Sequence, residues 1–175
     1  MKTIIKGNLR FEVNSYCDEY DNPREWCNLA TMFCLHRRYI IGDKHNYSEI
    51  HFEDWQDVKS FLLNGDNNAI IKPIYMYEHS GITISTEPFS CGWDSGQIGY
   101  IYARGEDILN EYGEITKEVM DKVDKVLEEE VRIYDQYLNG EVYNIEVFEN
   151  EEEVECVTIY GYEEKEEFIN QFNNQ

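Results

Sequence analysis

Within YMYEHSGITISTEPFSCGWDSGQIGYIYARGED, residues Tyr75–Asp107, three side chains have the types that a thiol enzyme uses. Cys91 would be the nucleophile, His79 the base that takes its proton, and Asp94 the carboxylate that orients the base. A thiol needs a nearby imidazole to become a thiolate near neutral pH. The same stretch carries turn formers at Ser80-Gly81, Glu87-Pro88, Cys91-Gly92 and Ser95-Gly96. Each is a place for the chain to reverse, and Asp94 and Ser95 are suited to bonding neighbouring backbone donors. A strand, an ordered polar loop and a return strand account for every residue without a reaction. The expectation is therefore a rigid loop, with recognition as its use and no catalytic residue. The Cys91–His79–Asp94 enzyme is the alternative.

Chain order argues against one thiol-enzyme class. SCGWDS is superficially like the nucleophile region of papain-like proteases, whose histidine lies far downstream of the cysteine, but no histidine follows His79 here.

Metal binding is tested by spacing. Cys17, Cys27, Cys34 and His36 follow at intervals of ten, seven and two residues, without the close pairs of structural zinc sites. Cys34 and His36 on one strand would share a face, which makes half a site at most. A core thiol and a surface histidine are expected, with no metal and no cofactor. Arg37-Arg38 is the one compact basic spot, and Asp43 or Glu25 are its expected partners. Neither a P-loop nor a dinucleotide fingerprint is present, which argues against nucleotide hydrolysis and hydride transfer.

Charge is the strongest compositional signal. The chain has 36 Asp+Glu against 15 Lys+Arg, a net of −21. Residues 1–105 carry 14 acidic and 10 basic side chains, whereas residues 106–175 carry 22 and 5. Such a field repels nucleic acid and attracts basic surfaces, including the phosphate-binding channels of nucleic-acid enzymes. The candidate partner-binding residues are Glu128, Glu129 and Glu130, then Glu149, Glu151, Glu152 and Glu153, then Glu163, Glu164, Glu166 and Glu167. Consecutive carboxylates repel one another and cost stability, so their density points to use as well as solubility.

These groups must be positioned by ordinary elements. Enrichment in β-branched and aromatic residues predicts strands over Lys2–Val13, Ala30–Arg38, Ala69–Tyr77, Ile82–Thr86, Gly99–Ala103, Glu141–Phe148 and Val154–Tyr160. Periodicity predicts a helix over Phe52–Leu63 ending at Asn64-Gly65, and a short one over Glu163–Phe172. A long helix follows the N-cap Thr116 and runs to Asn139-Gly140, with Val119, Val123, Val126, Leu127, Val131, Tyr134 and Leu138 as its apolar stripe. The expected class is α+β: a mainly antiparallel sheet, one long amphipathic helix and two shorter helices.

The length of 175 residues and 42% hydrophobic content fit one domain over 1–175, with its acidity concentrated in 106–175. No apolar run is long enough for a membrane span, and MKTIIKGNLRFEV lacks a signal-peptide pattern. Five cysteines without paired spacing fit a reducing cytosol and buried thiols.

Three blocks carry a resemblance: DNPREWCNLATMFCLHRRYIIGDKHNYS (Asp21–Ser48), IYMYEHSGITISTEPFSCGWDSGQIGYIY (Ile74–Tyr102) and EVRIYDQYLNGEVYNIEV (Glu130–Val147). Together they resemble a family of small acidic proteins of bacteriophages, plasmids and other mobile elements. The signature loop of that resemblance holds His79, Ser80, Cys91, Trp93, Asp94, Ser95 and Gln97. Relatives carry further cysteine-containing sequence near the C-terminus, where this chain has FENEEEVECVTIYGYEEKEEF. The acidity is thus a specialisation of this member.

The resemblance implies a setting in which small acidic proteins inhibit host defence, acting in the cytoplasm of a bacterial host. The leading expectation is a non-enzymatic anti-CRISPR or antirestriction inhibitor and nucleic-acid mimic. Its partner would be a basic nucleic-acid-binding protein such as a CRISPR effector or restriction enzyme, with no direct contact to nucleic acid or membrane. The alternatives are the Cys91-dependent enzyme and a mobile-element interaction protein without mimicry.

Overall fold

A computed structural model describes residues 1–15 and 22–172, so Cys17 lies outside the described residues. In chain order the elements are β1 (Lys2–Lys6), β2 (Leu9–Asn14), β3 (Thr31–Cys34), α1 (Trp55–Leu63), β4 (Ile70–Glu78), β5 (Ile82–Ser85) and β6 (Ser95–Ala103). They continue with α2 (Gly105–Tyr112), α3 (Lys117–Leu138), β7 (Val142–Glu149), β8 (Glu152–Tyr160) and α4 (Tyr162–Gln171). The class is α+β, with antiparallel pairing throughout and one long helix. The strands form two four-stranded sheets, and the chain divides into two compact units.

The first unit joins residues 1–22 to 136–175 and contains the sheet β1-β2-β7-β8. Alternation along the strands gives it one apolar face, where Phe11, Val13, Ile145 and Val147 pack with Ile169 of α4. The Phe172 ring lies 5.4 Å from Phe11 and 5.4 Å from Phe168 between centroids, and Phe168 packs against the same cluster. The predicted strand Lys2–Val13 is in fact a hairpin. Gly7, at φ +59°, supplies the left-handed turn that lets Ile4 lie opposite Phe11.

The second unit, residues 23–135, is built on the sheet β3-β6-β4-β5. On one face α1 sets Val58 and Leu62 against Phe33, Leu35, Tyr100 and Tyr102. Asp54 caps the start of α1 by accepting from the Asp57 amide, and Asn64 ends it in the left-handed region. α3 is tied to the same sheet by Lys72 of β4, whose Nζ donates to Asp124 at 2.7 Å and Glu128 at 2.6 Å. Its buried stripe is Val119, Val123, Leu127, Val131 and Tyr134, and Thr116 accepts from the Val119 amide at its start.

Several predicted boundaries move. β3 stops at Cys34, so Cys34 and His36 do not share a strand. β6 begins at Ser95, within the polar stretch, because its backbone pairs with Tyr77, Met76 and Tyr75 of β4. α2 is a helix that the periodicity missed. The cysteines are less buried than expected: Cys34 is buried, whereas Cys27 and Cys156 are exposed. Among the described residues, no helix is long and apolar enough to cross a membrane.

Candidate functional site

The signature loop joins three strands. His79, Ser80 and Gly81 turn β4 into β5, with Ser80 at φ +61°, and residues 86–94 return the chain to β6. The Glu78 amide donates to the Asp94 carbonyl at 2.9 Å and closes the base of the loop. Ser95 donates its hydroxyl to the Cys91 carbonyl, and Gln97 donates to the Gly99 carbonyl at 3.2 Å. Ser95 therefore serves the backbone, as its turn chemistry predicts, and Gln97 does so as well, whereas Asp94, expected to do the same, meets the Cys91 and His79 side chains instead.

Cys91, His79 and Asp94 do come together, in an order that matters. The Cys91 thiol donates to Asp94 Oδ2 at 3.8 Å, and His79 Nδ1 lies 3.9 Å from the same oxygen. In a Cys–His–Asp relay the imidazole stands between thiol and carboxylate; here the carboxylate stands in the middle. No hydrogen bond joins Cys91 to His79 among the described residues. The loop is open to solvent: Trp93 is 97% exposed, and the His79 ring stacks beside Tyr77.

The acidic candidates separate into two sets. Those of α3 are engaged within their own unit. Glu128 accepts from Lys72, and Glu129 accepts two hydrogen bonds from Arg132, which hold its carboxyl below the usual glutamate range. Glu130 is largely buried and serves the interior. Its Oε2 accepts from Arg24 Nη1 at 2.7 Å, and its Oε1 accepts the amides of Leu29 and Ala30.

Arg24 is the centre of that interior network, with 3% of its side chain exposed. Its Nε and Nη2 both reach Asp43 at 2.9 Å, a bidentate pair, and Nη2 also donates to the Ala30 carbonyl. Asp43 completes the arrangement by accepting from the Met32 amide at 2.8 Å. Burial works against the guanidinium charge, but the hydrogen bonds and charges of Asp43 and Glu130 outweigh it and hold it above its ordinary value. The Arg37-Arg38 pair is thus denied Asp43 and takes Glu49 and Glu78 instead, while Lys44 takes Glu25.

The carboxylates of the first unit are different. Glu149 and Glu152 face each other across the β7–β8 hairpin, whose turn is Asn150-Glu151, both at positive φ. Glu149 accepts from Asn8, and Glu151 pairs with Arg10 at 3.0 Å. Glu152, Glu153, Glu163 and Glu167 are exposed and, among the described residues, have no cation within ion-pair distance. On α4, Glu164 accepts weakly from Gln136, and Glu166 meets Lys165 at 3.2 Å. Glu163 and Glu164 also sit in the first turn of α4, where the helix dipole favours anions.

Cys34 offers no reactive thiol: burial pushes it far above its ordinary value, and the nearby Asp43 adds to that. Among the described residues, no three His, Cys, Asp or Glu side chains converge as a metal site. His36 instead accepts the amides of Arg38 and Tyr39 on Nδ1.

What spacing could not reveal is a cleft of about 450 Å³ between the end of α1 and the 43–47 loop. Gly42, at φ +79°, lets that loop fold back so that the Asp43 amide donates to the Met32 carbonyl at 2.8 Å. Of the aromatic residues that line the cleft, Phe33, Phe61 and Tyr102 fall in predicted strands and the predicted helix, and Tyr47 falls between predicted elements. Comparison with protein-family models, with curated proteins and with solved structures finds no match to this chain.

Proposed function

We propose that this protein is a non-enzymatic inhibitor of a host nucleic-acid-directed defence nuclease, a CRISPR effector or a restriction enzyme, in the bacterial cytoplasm. The acidic hairpin and helix of the first unit would occupy the basic channel that otherwise holds nucleic acid. The observation that carries this reading is the state of the carboxylates there. Residues 1–22 and 136–175 hold 15 Asp+Glu against 4 Lys+Arg, and Glu152, Glu153, Glu163 and Glu167 stand exposed with no ion-pair partner among the described residues.

The hairpin is built against its own local preferences. Directly opposed like charges destabilise a strand pair, and Glu151 occupies a left-handed position that glycine fills more easily. Local rules are broken most often where a residue serves something other than folding. A dense acidic surface speeds encounter with a Lys/Arg-lined channel and makes the complex salt-sensitive. The three glutamates of α3 leave this reading, since Lys72, Arg132 and Arg24 already engage them.

The test is capture from host lysate at low and at physiological salt, using the wild type and a variant carrying E152Q, E153Q, E163Q and E167Q. The expected result is a nucleic-acid-binding defence nuclease that the wild type retains at low salt and loses as salt rises, and that the variant fails to hold. Addition of the wild type should then suppress DNA or RNA cleavage by that nuclease. Retention that ignores both salt and substitution would sink the proposal.

A further inference from the structure

The second unit contains a cleft that the acidic surface leaves unused. Its floor is the end of the sheet at Phe33 and Tyr102, one wall is Phe61 at the end of α1, and the other is His45 and Tyr47. Its volume of about 450 Å³ lies within the range of small-molecule sites.

Two independent observations make this more than a gap in packing. The first is rigidity of the rings. His45 stacks on Phe33 with centroids 4.1 Å apart and planes 22° apart. Its imidazole is pinned on both sides, Nε2 to the Cys34 carbonyl at 2.8 Å and Nδ1 by the Tyr47 amide at 3.2 Å. Tyr47 in turn packs edge-on to Phe61 at 5.0 Å. Yet Tyr47 and Phe61 are 45% and 43% exposed. Half-exposed aromatic rings offer faces on which another flat group can stack.

The second observation is charge. Residues 23–135 hold 21 Asp+Glu against 11 Lys+Arg, yet the cleft is lined by Lys44 and Arg104 and by one carboxylate among the described residues, Asp43. Asp43 is already consumed by Arg24 and the Met32 amide. Among the described residues the one ion pair of Lys44 is with the exposed Glu25, at 3.4 Å, a contact that costs little to give up. Arg104 stands over the Tyr102 ring and near Asp66, so the cleft lining itself offers two cations against one carboxylate that is already engaged.

Half-exposed aromatic rings beside two cations fit a planar heteroaromatic ring that carries an anion. We infer that this cleft binds a nucleotide, its base stacked on Tyr47 and edge-on to Phe61, which stands at 62° to Tyr47, and its phosphate met by Lys44 and Arg104. The same chemistry is offered by a free mononucleotide and by the 5′-phosphorylated end of a single strand.

The experiment titrates the full chain with AMP, GMP, CMP and UMP, followed by NMR, with adenosine and inorganic phosphate as the separated halves. Saturable binding of at least one nucleotide, tighter than its nucleoside and tighter than phosphate, is expected. Tyr47→Leu should weaken it by roughly tenfold or more, as loss of one stacking platform does. Arg104→Gln should remove the advantage of AMP over adenosine. Both residues are at the surface, so unchanged circular dichroism and melting confirm that the fold is kept. A short 5′-phosphorylated single strand that binds more tightly than any mononucleotide assigns the site to a strand end; equal binding assigns it to free nucleotide. Absence of saturable binding at millimolar nucleotide, or binding that both variants leave unchanged, overturns the inference. Neither variant touches the first unit, so this result is independent of the inhibitor reading.

Discussion

The tripeptide Glu-Glu-Glu occurs twice, at 128–130 and at 151–153, and the two copies have opposite fates. On α3, consecutive side chains leave the helix in different directions, and each finds its own cation: Lys72, Arg132 and Arg24. At the β7–β8 hairpin only the turn residue Glu151 reaches a cation, Arg10, among the described residues. A run of like charge is therefore no measure of free charge. What decides is whether a cation stands where each side chain points.

The sharpest way to test that contrast is to remove one member of each copy. Glu130→Ala leaves the Arg24 guanidinium buried with one anion and strands the Leu29 and Ala30 amides, so a loss of about 3–5 kcal/mol is expected in denaturant unfolding. Glu130→Gln should cost less, because the amide oxygen still accepts from those two donors. At the other copy the sign reverses. Glu151→Gly relieves a left-handed residue at φ +68° and should raise stability by about 1 kcal/mol, read in the same unfolding curves. If instead Glu151→Gly destabilises, the Arg10 pair matters more than the turn, and the contrast between the two copies weakens.

The smallest effects concern pH. The Glu129 carboxyl is held below its ordinary range by Arg132, and the Asp66 carboxyl by the amides of Gly105 and Asn68. Both folded values are depressed, so both contributions are present above the ordinary carboxylate range and are lost as pH falls through the folded values. Asp66→Ala should cost about 1 kcal/mol at neutral pH, as loss of a helix cap does, and the difference from wild type should shrink in acid. Glu129→Gln, half-exposed, should cost only a few tenths of a kcal/mol and lose its effect over the same acidic interval.

The parts of this fold that were legible in the sequence are those fixed by local chemistry. The stripe from Val119 to Tyr134, the Thr116 cap and the Asn64-Gly65 stop each act within a few residues, and they delimit α1 and α3. The α+β class followed from them and from the β-branched runs. The polar loop could be read as a series of turns because its turn formers act locally, as Ser95 does in bonding the Cys91 carbonyl.

The remainder depends on groups distant in sequence. α2 lacks an N-cap of its own, since Arg104 makes no capping bond; Asp66, 39 positions earlier, accepts from the Gly105 amide instead. Arg24 finds Glu130 across 106 positions, a pairing that no spacing rule encodes. The β1–β2 turn was hidden because strand-forming residues run on both sides of Gly7. The order thiol, carboxylate, imidazole at the loop depends on how β4 and β6 pair, which composition does not contain.

β5 is the outer strand of its sheet, and the Ile84 amide that would point away from β4 donates instead to Asp135 Oδ1 at 2.7 Å. For a second molecule to add a strand there, its carbonyl oxygen would have to displace the Asp135 side chain from the Ile84 amide. That one aspartate closes β5 at Ile84 to polymerisation, so a concentrated solution of this protein meets an edge that is already occupied. Stripping the carboxylate would leave the Ile84 amide open to pairing with another strand.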